Sequence, residues 1–418
     1  MKERKSVTSV TAGRYREARK KVKQQILDEF CRTTGYNRSY ARLVLRNHGR
    51  RITVSADRAV VGDLEQKRQR LRPKVYDAKV SQALVQIWLL LDYLCGKRLV
   101  AILPEIVARL EQFGELRLEP DTRQKLLQLS AATADRMLQP ERRKHQLRGQ
   151  ARTRPGSLLK HQIPIRTFSE WNEQRPGFVE IDLVAHDGGL AVGDYCQTLD
   201  ITDVCTGWTE ALAVPNKAQV WVFNAIAKAR ERLPFPLLGI DSDNGSEFIN
   251  HELLRYCEAQ HITFTRARPY RKNDNCYVEQ KNYSVVRRTV GYQRFDSAPE
   301  LRLLNQLYDS LRLYTNFFLP TMKLKRKERL GSQVRKTYEA PQTPYYRLLH
   351  SSDISAEDKQ KLQDQYQNLN PAALKRRIAN LQKQLFALAN SKRLAGLTKV
   401  LKVRLKQKPL RIKPIQAL

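Results

Sequence analysis

Three carboxylates stand out by where they fall: Asp182, Asp243 and Glu279. Asp182 interrupts the apolar run Phe178-Val179-Glu180-Ile181-Asp182-Leu183-Val184. Asp243 closes a second run, Leu237-Leu238-Gly239-Ile240-Asp241-Ser242-Asp243, and 35 residues separate it from Glu279. A carboxylate inside a strand-like apolar run is costly to bury unless it is paired or holds a cation. Three of them converging on one point repel each other, and hard divalent cations bound by oxygen ligands are the usual remedy. The pattern therefore predicts metal-assisted chemistry. No Ser or His nucleophile is required, because a bound cation lowers the pKa of the attacking group.

The partner is implied by charge. The 418 residues hold 76 Lys+Arg against 42 Asp+Glu, a net charge of +34. So large an excess points to a polyanion, nucleic acid before membrane. No segment approaches the roughly 20 continuous apolar residues of a membrane span. The start Met1-Lys2-Glu3-Arg4-Lys5 lacks the apolar stretch of a secretory signal, so a cytoplasmic, nucleoid-associated protein is expected. Six scattered cysteines form no CxxC pair and predict reduced thiols; the seven histidines show no zinc spacing.

The elements that must position the acids can be read from periodicity. Strands are expected at 178–185, 195–202, 208–214, 237–240 and 262–267, the first three as an antiparallel meander. Helices are expected at 218–233, 247–260 and 275–290. Asp182 then lies mid-strand, Asp243 just past the fourth strand, and Glu279 near the start of the last helix. Open α/β sheets carry their ligand groups at such strand ends. Three hairpin-linked strands followed by alternating helix and strand is the order of the ribonuclease H-like fold.

Around this core the chain reads as multidomain. Residues 1–60 predict a helix-turn-helix: an apolar stripe over 21–33, the turn Gly35-Tyr36-Asn37, then a helix over 38–47 with Arg38, Arg42 and Arg46 on one face. A second helical DNA-binding block is expected over 61–140, ending in a short helix with Ser130 as N-cap and Thr133 and Arg136 as DNA contacts. Residues 141–170 read as a basic linker lying along DNA, with Arg148 and Arg152 on phosphate. The catalytic core spans 171–295, a basic and aromatic module 296–350, and a basic helical tail 351–418. In the tail Leu374, Ile378, Leu381, Leu385 and Leu388 form a short heptad stripe, either a dimer contact or a face packed on its own protein. Lys281 and Arg288 are further candidates for gripping phosphate.

At the three acids, at Ser242-Asp243-Asn244-Gly245-Ser246-Glu247-Phe248, and at Pro269 and the basic helix through Lys281, Arg287 and Arg288, the chain resembles DDE transposases and retroviral-type integrases. It is most similar to the integrase-type transposases of bacterial insertion sequences. The resemblance covers roughly 120 residues, and the helical front end is consistent with it. It implies cleavage at element ends and transfer of the freed 3′-hydroxyls into target DNA, with two Mg²⁺ ions per site and Mn²⁺ able to substitute. It also implies terminal repeats and target DNA as partners and a homo-oligomer on DNA; a helper ATPase is left open. The His-His-Cys-Cys module of retroviral integrases is absent. Two other functions fit the same residues: a ribonuclease H-like nuclease that does not join strands, and a transposase-derived DNA-binding protein without catalysis. Asp241, Glu247, His186 and Asp187 are neighbours of the site rather than first choices within it.

Overall fold

The computed structural model describes residues 2–55, 58–61, 75–144, 175–243, 245, 248, 251–266 and 276–407, with side chains undescribed at 2–5, 51–61, 330 and 393–407. The chain divides into two compact units, Met1–Val75 and Tyr76–Leu418. The expected linker contacts Arg148 and Arg152, and also Asn244, Ser246, Glu247 and Pro269, lie outside the described residues.

The first unit holds α1 (Lys2–Glu17), α2 (Lys20–Thr34), α3 (Arg38–Asn47) and a hairpin of β1 (Arg51–Ser55) and β2 (Arg58–Val61). Ala12, Leu27, Phe30, Ala41 and Leu45 form its core. Gly35 ends α2 at φ 69°, donating its N–H to the Cys31 carbonyl, a left-handed closure that suits glycine. Asn37 restarts the chain by accepting from the Ser39 N–H at 2.9 Å. The α2–turn–α3 reading matches these elements. The helix α1 was not anticipated, since its few apolar residues, such as Val7 and Ala12, make only a thin stripe.

The second unit opens with α4 (Ala78–Leu90), α5 (Gly96–Gln112), α6 (Pro120–Leu127) and α7 (Ala131–Lys144). Gly96 lets α5 and α7 meet: a Cβ there would lie 2.2 Å from the Ala131 carbonyl oxygen. Its N–H is instead capped by the Asp135 carboxylate at 2.7 Å. Then follow β3 (Phe178–Ala185), β4 (Gln197–Asp203), β5 (Thr209–Val214), α8 (Gln219–Arg232), β6 (Gly239–Ser242), α9 (His251–Ala259) and β7 (Thr263–Arg266). The catalytic-core helix is α10 (Cys276–Lys281), continued by π-helical turns over Asn282–Arg287 and α11 (Arg288–Val290). The chain closes with α12 (Ala298–Phe318), β8 (Leu324–Leu330), β9 (Gln333–Tyr338), α13 (Pro344–Leu349), α14 (Ala356–Gln367) and α15 (Pro371–Gln407).

The central sheet runs β5-β4-β3-β6-β7, with β3, β4 and β5 antiparallel and β6 and β7 parallel to β3. This is the mixed five-stranded ribonuclease H-like sheet. Strand alternation divides its two faces. Val179, Ile181, Leu199, Ile201, Leu212 and Val214 pack with α8 and α9. Val184, Ala211 and Ala213 face α12. The edge of β5 is closed by side chains of α12. Asn305 donates to and accepts from the Ala213 backbone at 3.0 Å each, and Asn316 does the same for Thr209 at 2.9 Å each. Two amides thus take the place of a sixth strand.

Of the segments expected as separate modules at 61–140, 296–350 and 351–418, described residues from Tyr76 onward share one continuous core with this unit. Leu84 and Trp88 of α4, Leu103 of α5, Leu307 and Tyr308 of α12 and Leu385 of α15 all belong to it. Arg109 donates to the Tyr366 carbonyl at 3.0 Å and lies 4.0 Å from the Tyr366 ring centre. The heptad stripe is also spent internally: Ile378, Leu381 and Leu385 are buried in the same core, and Leu374 is half-buried against it. Of its five positions, Leu388 alone is exposed. The stripe is therefore not an open dimer face.

Candidate functional site

The acids converge because of register. Asp182 is the fifth residue of β3 and stands opposite Asp200 on β4, while Ile181 stands level with Ser242 on the parallel strand β6. Asp243, one residue past β6, therefore arrives beside Asp182. One Oδ of Asp182 accepts from the Leu183 N–H at 2.8 Å and the other from the Asn282 amide at 2.6 Å. One Oδ of Asp243 accepts from the Gly245 N–H at 2.8 Å, a side-chain turn that fixes the carboxylate as the chain leaves the strand. Glu279 lies exposed in the first turn of α10.

The electrostatics register the convergence. The Asp182 pKa is raised from 3.8 to about 7, by burial first and then by the negative charges of Asp243 and Glu279, against its two hydrogen bonds. Asp182 is thus brought within the field of both Asp243 and Glu279. Among the described residues no three His, Cys, Asp or Glu side chains already enclose a cation position. The donors fit a hard cation by their chemistry: all are carboxylate oxygens, and Asp182 carries a repulsion that a cation relieves.

Several buried groups support the site that sequence reasoning did not single out. Glu180, two residues before Asp182 on the same face, is fully buried and accepts from the Val278 N–H at 2.8 Å. It satisfies an otherwise unpaired donor at the start of α10 and so holds the helix that carries Glu279. Burial raises its pKa well above the usual carboxylate range. Asp200 is likewise fully buried, with its pKa raised by burial and opposed by the charge of Lys281. Only an acidic residue on the same strand face as Asp182, at i−2 or in cross-strand register, could have flagged these two in advance.

Lys281 is turned inward, and half-buried Arg288 is engaged with the α4 region. Lys281 is 6 % exposed, donates to the Gly207 carbonyl at 3.1 Å and has its pKa lowered by burial. Arg288 donates to the Asp92 carbonyl at 2.9 Å and covers Tyr93, joining α11 to the α4 region. The π-helical turns over Asn282–Arg287 part the two: they rotate the helix after Lys281, so Arg288 is carried off the face on which Lys281 lies.

Asp241 is fully buried and accepts from the Thr265 hydroxyl of β7, a sheet-internal role. His186 lies just past the end of β3. It is fully buried, bonds the Thr198 hydroxyl at 2.7 Å and is held neutral by burial, with its pKa lowered to about 3. Asp187 bridges to Arg294, and its carboxylate accepts from the Gly189 N–H at 3.0 Å. On α3, Arg42 and Arg46 are exposed, while Arg38 is ion-paired with Asp28. On α7, Arg136 is exposed and donates to the Thr133 hydroxyl at 3.1 Å, leaving Thr133 half-buried.

Residues 172–272 match the family model described as "Integrase core domain". An uncharacterised protein of Sinorhizobium fredii (strain NBRC 101917 / NGR234), y4rM, is 42% identical over 336 residues, covering 80% of this chain and 91% of its own length. Among solved structures, the catalytic core domain of BIV integrase aligns with 18% identity and a TM-score of 0.28, over 41% of this chain and 91% of that one. The catalytic core domain of HTLV-2 integrase in complex with magnesium, in its dimeric form, aligns with 18% identity and a TM-score of 0.27, over 35% of this chain and 90% of that one. Among the described residues no helix is long and apolar enough to cross a membrane. The chain belongs to the family of the S. fredii protein, and its core is a ribonuclease H-like catalytic domain of the integrase and transposase type, the domain of a polynucleotidyl transferase.

Proposed function

We propose that the protein is a transposase that binds the ends of its element, cuts there and joins the freed 3′-hydroxyls to target DNA. The observation that carries this reading is the approach of Asp243 and Glu279 to Asp182 within an integrase core on a chain of net charge +34. Two Mg²⁺ ions, with Mn²⁺ as substitute, would be held by these three acids; when bound they supply Lewis acidity and neutralise phosphate charge. Asn282 orients Asp182 by its 2.6 Å hydrogen bond. Glu180 holds the start of α10 against β3, which keeps Glu279 over the strand ends. Exposed Arg42 and Arg46, with Arg38 released from Asp28, make α3 the proposed reader of element ends, and Thr133 and Arg136 a second contact. Joining two ends calls for two sites, so a homo-oligomer assembled on DNA is part of the reading, through a surface other than the buried α15 stripe.

The test uses labelled candidate end DNA. Asp182→Asn, Asp243→Asn and Glu279→Gln should each abolish cutting and joining while end binding persists, and EDTA should do the same to the wild type. Normal turnover by any one variant removes that residue from the site. Cutting without joining by the wild type would favour a nuclease, and binding without either would favour a non-catalytic DNA-binding protein.

A further inference from the structure

The strands β8 and β9 form a two-stranded antiparallel ribbon whose described residues from Leu324 to Tyr338 are all exposed, Glu328 excepted, which is half-buried. An isolated hairpin is marginal in water unless its surface lies against something. This one is also strongly charged, with six Lys+Arg and one acid over the two strands. Register divides the charges unequally. On one face Arg326 is ion-paired with Glu328, and Glu328 stands opposite Arg335. On the other, Lys327 stands directly opposite Lys336, with Arg329 beside Val334, and no acid shares that face. Like charges placed opposite one another destabilise a ribbon unless a polyanion neutralises them.

The ribbon's root is held firmly. Thr321 and Gln342 exchange backbone hydrogen bonds of 2.8 and 3.1 Å, Lys323 donates to the Cys205 carbonyl at 2.8 Å, and Arg347 joins Thr206 to Thr321. Cys205 and Thr206 begin the turn whose Gly207 carbonyl accepts from Lys281 of the catalytic helix. A fixed root and a charged, uncovered blade suit a groove. Seven residues of strand extend about 23 Å, and the DNA major groove, about 12 Å wide, admits a two-stranded ribbon.

We infer that β8–β9 docks on duplex DNA, with Lys327, Arg329 and Lys336 neutralising backbone phosphates of the substrate held by the core. This inference rests on the reading of the core as a DNA recombinase. The full-length protein would be acetylated at lysine with and without a 30-bp duplex and mapped by mass spectrometry. Lys327 and Lys336 should label several-fold more slowly with DNA, while exposed Lys361 on α14 should not change. The triple variant Lys327→Gln, Arg329→Gln, Lys336→Gln should lower the slope of log affinity against log salt by about 0.9 per lost contact. Arg326→Gln, Arg335→Gln should lower it less. Wild-type protein that binds duplex while both lysines stay fully reactive overturns the inference alone. So does protection without DNA that grows with protein concentration, which would mean a second copy covers the ribbon. Failure of the wild type to bind any duplex would overturn the inference and the recombinase reading together.

Discussion

Replacing Lys281 by methionine separates two roles for this residue. On an exposed helix face it would grip phosphate; in the structure it is 6 % exposed, and its charge faces that of fully buried Asp200. One Asp200 oxygen has no hydrogen-bond partner, so the lysine is its main compensation. Lys281→Met conserves length and volume while removing the counter-charge of Asp200; breaking a buried pair typically costs about 3–5 kcal/mol, less what the acid recovers by taking up a proton, which its raised pKa favours. Neutralising both residues, Lys281→Met with Asp200→Asn, removes the stranded charge and should recover most of that loss. Urea unfolding followed by tryptophan emission is the assay, because buried Trp208 adjoins the Gly207 carbonyl that Lys281 holds. A midpoint shift at constant slope reports stability. The reasoning fails if Lys281→Met costs under about 1 kcal/mol, or if the double variant is no better than the single. A stable Lys281→Met variant with a reduced salt dependence of DNA binding would restore the phosphate contact.

Other expectations are open to direct measurement. Asp182, raised from 3.8 to about 7, keeps a proton in the folded state that the unfolded chain releases between those values. Its stabilisation is complete below the unfolded pKa and lost as pH rises through 7. In EDTA the protein should therefore melt lower at pH 8 than at pH 6, and Asp182→Asn should shrink the difference, the remainder coming from Asp200, raised to about 8; an unchanged pH slope in that variant rules the assignment out. Asn316→Leu should destabilise the second unit, since it leaves the Thr209 N–H and C=O buried and unpaired at about 1–3 kcal/mol each; a loss within 0.5 kcal/mol in urea would mean that water replaces the amide. Leu385→Ala should cost about 2–5 kcal/mol and leave the mass by light scattering unaltered. A change of mass without loss of stability would return the stripe to an interface.

Much of the core was legible because burial on a sheet imposes short apolar runs between turn residues. The five strands lie within about two residues of their expected ends, as is usual for boundaries read from pattern. Asp182 and Asp243 drew notice for a related reason, since a charge in or at the end of such a run contradicts its surroundings, whereas Glu279, exposed on α10, was picked out by its spacing from Asp243 and the resemblance. The second helical block was read correctly as helices, and Ser130 caps α7 as expected, its hydroxyl accepting from the Thr133 N–H at 3.2 Å. Its independence was not legible, because an amphipathic stripe says that a helix is covered but not by what.

The sequence by itself determined element type and strand order along the chain and singled out the three acids as candidates, since these rest on local periodicity, on residues that contradict it and on spacing. Tertiary structure alone decided the fate of the surrounding charges. Lys281 and Arg288 share a face only if the helix keeps 3.6 residues per turn, and the π-helical turns at Asn282–Arg287 break that rule. Glu180 and Asp200 acquire their roles from cross-strand and strand-to-helix register, which pairs residues distant in the chain. The α15 stripe found its partner in α12 and α4 rather than in a second chain, because the nearest apolar surface belonged to its own core.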